Sequence, residues 1–138
     1  MLVGNILFAC SNFDINKILY PSDSGYIEQT IPVAFAGRWV NKKNPSYNYC
    51  YPQTDFSEYA ILNITPEHNV LEFIGFSLHK VAKFYSLTQD AFSAQVKAKT
   101  IDMGEINEEA EDKIENLSAK LVDKNTIIVD SKRYYRCP

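Results

Sequence analysis

Long apolar runs are missing from this sequence, and none approaches the roughly 18 residues that a membrane-crossing helix needs. Histidine is scarce, with two residues, and cysteine hardly more frequent, with three. The cysteines lie 40 and 87 positions apart, nowhere near the spacing of a zinc site, so no metal ligand set and no cofactor is expected. There is no Gly-x-Ser-x-Gly elbow, no Cys–His signature and no His-x-x-x-His pair that would supply a nucleophile with its base. His68 and His79 read as surface or strand-edge residues, one in a turn and one at a strand start. An excess of positive charge is lacking too. Lys plus Arg numbers 14 against 17 for Asp plus Glu, a net charge of −3 that gives no global case for nucleic acid. The chain is not expected to be an enzyme.

What is present suits one small domain. The chain has 138 residues, 46% hydrophobic and 22% charged, close to globular averages. A chain of this length buries roughly two-thirds of its unfolded surface, enough for a core without a structural metal. Nine Tyr, eight Phe and one Trp favour β-structure.

Residues 11–30 are polar and mixed, and they read as a tether with a soft boundary near residue 30. Strands are expected around Phe35–Val40, Tyr59–Ile64, Val70–Phe76 and His79–Leu87, with Gly75 as a bulge or bend. Ala91 to Ala98 alternates cleanly, with Phe92, Ala94, Val96 and Ala98 on one side. Thr126–Val129 and Arg133–Cys137 form a last hairpin. Strands this closely spaced favour an antiparallel meander, a barrel or a sandwich. From Gly104 to Val122 two readings compete. Ile106, Ala110, Ile114, Leu117 and Leu121 recur at helical spacing, yet Leu117–Leu121 followed by Asp123-Lys124-Asn125 reads equally as one arm of a hairpin.

The N-terminal Leu7-Phe8-Ala9-Cys10-Ser11-Asn12 resembles a bacterial lipobox. The resemblance implies cleavage before Cys10 and a lipid on its thiol. The nine residues before Cys10 carry no Lys or Arg, so residues 1–10 read as the back half of a signal that begins upstream of Met1. The alternative is a short apolar strand at the true start of a cytoplasmic protein. With Cys10 lipidated, Cys50 and Cys137 remain as an even pair that an oxidising compartment would join, although two unrelated buried thiols would give the same count.

Ile31-Pro32-Val33-Ala34-Phe35-Ala36-Gly37-Arg38-Trp39, then Cys50, Ile64-Thr65, Gly104-Glu105 and Tyr134-Tyr135-Arg136-Cys137-Pro138, resembles a group of small uncharacterised bacterial envelope proteins. The likeness spans residues 31–138 and includes the Cys50 and Cys137 pair. It implies a lipocalin-like barrel, because Gly-x-Trp also opens the first lipocalin strand. Trp39 would then plug the closed end under Arg133 or Arg136. The same likeness favours strands over helix in the second half of 104–122, with room for one short helix within 104–116.

Two surfaces read as binding regions. In Ser46–Pro52 the rings of Tyr47, Tyr49 and Tyr51 form either an exposed recognition loop or one face of a period-two strand. From Asp102 to Glu115 seven carboxylates, Glu108 and Glu109 among them, meet one Lys113, either a partner-steering edge or a solvated face. The stretch lacks the spacing of a calcium loop. The C-terminal strands hold a weaker basic patch, with Lys120, Lys124, Lys132, Arg133 and Arg136.

The expectation is therefore an all-β protein, a small antiparallel meander barrel pinned by Cys50–Cys137 and hung from the envelope membrane by Cys10. Its expected role is binding a protein or envelope component, as inhibitors and immunity proteins do, or else carrying a small apolar ligand.

Overall fold

The computed structural model describes residues 29–138 apart from 54–57, 103–104 and 107–110. Lipidation at Cys10, the signal and most of the tether, and Glu108 and Glu109 lie outside these residues. The described chain is almost entirely β. In order come β1 (Gly37–Val40), a one-turn helix α1 (Tyr47–Cys50), β2 (Ile61–Thr65), β3 (Val70–Phe73) and β4 (Ser77–Leu87). Then follow β5 (Ala91–Asp102), the two-residue β6 (Glu105–Ile106), β7 (Lys113–Asp123), β8 (Thr126–Val129) and β9 (Lys132–Arg136).

Every pairing is antiparallel, and sequential neighbours pair: β1 with β2, β2 with β3, β3 with β4, β4 with β5, β5 with β7, β7 with β8, and β8 with β9. β9 returns to β1 through Trp39 opposite Arg136 and Val40 opposite Tyr135. Eight strands thus close an up-and-down barrel, a lipocalin-like all-β architecture without an unpaired edge in its wall. β6 lies outside the ring, paired only to the end of β5.

The inward face is set by strand parity. Trp39, Leu62, Ile64, Leu71, Val81, Phe92, Ala94, Val96, Leu117, Ala119, Ile127, Val129 and Tyr134 form one buried cluster. Eight strands leave an interior that side chains can fill or that can hold one small ligand. Phe35 meets Phe92 edge-on at 5.3 Å, and Phe84 meets Phe92 at 5.8 Å. Two register shifts in the β4–β5 ladder carry the inward position from Val81 to Phe84 and then to Leu87. Each added residue reverses strand parity and tightens the wall's curvature.

One end of the barrel is closed by the chain itself. Ile31 and Phe35 tuck under the strands, with a 3₁₀ turn over Val33–Phe35. Asn69 holds this segment in place: its Oδ1 accepts the Ile31 N–H at 2.8 Å, and its Nδ2 donates to the Gln29 carbonyl at 2.8 Å. Asn69 stands in the left-handed region at φ 55°, which Asn tolerates better than most residues.

Several expectations need correction. The stretch 104–116 holds strand at Glu105–Ile106 and again from Lys113, so no helix occupies its described parts. The first strand begins at Gly37 rather than Phe35. The strand expected over Val70–Phe76 ends at Phe73, and Gly75 supplies the expected bend in the β3–β4 turn at φ 83°. His79 is buried at 8% exposure, not a surface residue, because it points inward two positions before Val81.

Candidate functional site

The closed end is organised around β1 and β9. Trp39 and Arg136 are directly paired and point inward, and the guanidinium carbon lies 4.1 Å from the indole centroid. Nε donates to the Lys124 carbonyl at 2.8 Å, Nη1 to Ala36 at 2.9 Å and Nη2 to Ala34 at 3.0 Å. Burial lowers the Arg136 pKa from its ordinary value, and a cation partly removed from water needs these partners. Trp39 Nε1 donates to the Phe35 carbonyl at 3.0 Å. Gly37 explains the Gly-x-Trp pattern. Its φ of 118° is a conformation that other residues rarely adopt, and a Cβ there would lie 3.4 Å from Arg136 Nη1. Arg133, the other sequence candidate for this place, is exposed on β9.

On the outer surface of the same seam, α1 is fastened to the barrel wall. Cys50 and Cys137 form a disulfide with Cα atoms 5.9 Å apart. Cys137 leaves β9 facing outward, and its N–H donates to the Arg38 carbonyl at 3.0 Å. Arg38 Nη1 in turn donates to the Cys50 carbonyl at 2.7 Å. Beneath the helix lies a second small core of Val40, Cys50 and Ile61, packed by Tyr59, Ile74 and Cys137.

This fastening presents aromatic rings to solvent. Tyr47 is 63% exposed, and Tyr49 and Tyr51 are 36% exposed each. Tyr47 stacks on Tyr51 at 4.6 Å, as residues four apart on one helical turn can. Tyr49 turns the other way and meets Tyr59 edge-on at 5.2 Å. Neither sequence alternative is followed in full: the segment is a surface connection, but it is wound into a turn, so the three rings do not share one strand face. Arg38 lies 4.6 Å over the Tyr51 ring and Lys42 5.0 Å over the Tyr49 ring. The result is two exposed aromatic clusters on the surface of α1, Tyr47 with Tyr51 and Tyr49 with Tyr59, each edged with positive charge.

The opposite end of the barrel holds a buried polar group. His79 Nε2 shares a 2.8 Å hydrogen bond with Ser77 Oγ, while the buried Nδ1 has no hydrogen-bond partner. Glu115 Oε1 is 3.7 Å from that nitrogen. Phe73 meets the imidazole edge-on at 5.1 Å. Burial lowers the His79 pKa, and the charges of Glu115 and Asp130 oppose the shift only in part. Tyr134 is raised by burial and by Asp130. The signal available in sequence was parity alone, since His79 stands two residues before Val81 in a strand. No group of three or more metal-ligating side chains is found among the described residues.

The chain matches no family model, no curated protein and no solved structure.

Proposed function

We propose that this protein is a non-catalytic binding module of the bacterial cell envelope, lipid-anchored through Cys10, which recognises another protein or envelope component through the face of α1. The observation that carries this reading is the fixed display of Tyr47, Tyr49 and Tyr51. Exposed tyrosine gives large contact area at low entropic cost, and a face already ordered before binding loses less on association. A disulfide and the Arg38 bond supply that order. A disulfide is at home in an oxidising compartment, which supports the envelope side of the reading. The acidic stretch containing Glu108 and Glu109 would attract a basic part of the partner. An inhibitor-like or immunity-like role fits such a module.

Retention of a partner from periplasmic extract tests it. Tyr49→Ala should weaken retention about tenfold, the cost of losing one interface anchor. Unchanged retention in both Tyr47→Ala and Tyr49→Ala would overturn the assignment of this face.

The alternative, a carrier of a small apolar ligand, finds less support. Phe35, Trp39, Phe84 and Phe92 crowd the half of the barrel that such a ligand would enter last. Titration with fatty acids or retinoids should therefore leave Trp39 fluorescence without a saturable change.

A further inference from the structure

Between the β1–β2 connection and the β7–β8 turn, next to α1, the barrel wall carries an open groove of about 560 Å³. Lys43, Lys124 and Arg136 line it together with Asp123 and Pro138, with the amides of Asn44 and Asn125 between them. Asp123 is committed locally, since its Oδ1 accepts the Asn125 N–H at 2.8 Å. Among the described residues neither Lys43 nor Lys124 makes an ion pair. Arg136 is held in position by the Trp39 ring and by three backbone carbonyls. Its contribution to the groove is its fixed positive charge. Lys43–Pro45, at the groove's edge, lead directly into α1, whose rings carry Arg38 and Lys42 as further cations.

We infer that this groove binds an acidic peptide segment of the partner, its carboxylates seated on Lys43, Lys124 and Arg136. The inference rests on the reading of α1 as the partner face and names the chemistry of what lies beside it. Two features favour a peptide over a free anion. The groove is far larger than one phosphate or carboxylate requires. It is open at the surface, so a chain can lie along it. The cations are concentrated here in a protein whose net charge is −3, which gives the face a sign of its own.

The test uses the whole chain with its disulfide intact and a synthetic dodecapeptide of alternating Glu and Ser, followed by amide shifts in ¹H–¹⁵N spectra. The Lys43, Asn44, Asn125 and Tyr135 amides should move saturably, and the double variant Lys43→Glu/Lys124→Glu should weaken the binding about tenfold or more. Both lysines are exposed and make no ion pair among the described residues, so the variant should keep the native dispersion of the spectrum. Equal binding of a Lys–Ser peptide would overturn the inference. So would inorganic phosphate moving the same amides at equal concentration, or binding confined to phosphatidylglycerol vesicles. Partner retention separates the two levels. Retention lost in Tyr49→Ala but kept in the double variant removes the acidic-peptide groove and leaves the aromatic face standing. Retention kept in both removes the face as well.

Discussion

Arg136 and Trp39 meet across the seam that closes the barrel, with the guanidinium carbon 4.1 Å from the indole centroid. The ladder between β1 and β9 is only two residue pairs long. Closure therefore depends on side chains, and Arg136 ties β9 to the lead-in at Ala34 and Ala36 and to the β7–β8 turn at Lys124. Arg136→Ala should cost about 2–4 kcal/mol, since it removes three charge-assisted bonds and the cation–π contact together. Arg136→Lys should recover only part of this, because an ammonium cannot reach three carbonyls in a planar fork. Urea unfolding followed by Trp39 fluorescence measures both.

Gly37 beneath this pair should tolerate no side chain. Gly37→Ala is expected to lose about 1–2 kcal/mol, because φ 118° is strained for any residue with a Cβ. Thermal unfolding of the variant against wild type checks it.

The disulfide closes a loop of 87 residues, and the chain-entropy model gives such a bridge about 4–5 kcal/mol. A Cys50→Ser/Cys137→Ser variant should show that loss in urea unfolding. It should also free α1, so that amides of Tyr47–Tyr51 exchange faster with solvent while those of β5 keep their order of protection.

Acidification should destabilise the protein through His79. Its pKa is lowered in the folded state by burial. Between that lowered value and the unfolded value of about 6.5 the unfolded chain binds more protons. The stability contributed by neutral, buried His79 is therefore full above about pH 6.5 and falls as the pH drops below it. His79→Gln should shrink the difference in Tm between pH 7.5 and pH 5.5. An unchanged difference would mean that other groups carry the acid sensitivity.

The strands were legible where parity was regular. Phe92, Ala94, Val96 and Ala98 alternate without interruption, and they face the core as β5. β4 was harder because two added residues move the inward position from Val81 to Phe84 and Leu87, which no fixed period describes. The helical spacing from Ile106 to Leu121 misled for a specific reason. Leu117 and Leu121 share strand parity and face inward, while Ile114 is of opposite parity and exposed. α1 was illegible because four residues have no helical signal of their own. Arg38 and a disulfide formed with a residue 87 positions away hold that turn. Asn69 and the buried His79 carried no motif either, and tertiary contacts define both.

The central claim is that the face of α1 is the contact surface, and photo-crosslinking in cells tests it most directly. A photoreactive phenylalanine analogue would be placed at position 47 of the protein expressed in its native cells, and as a control at position 85, where Tyr85 is also exposed. The account predicts one discrete envelope adduct from position 47, lost on adding Tyr49→Ala and absent from position 85. No adduct at 47, or the same adducts at both positions, would contradict it.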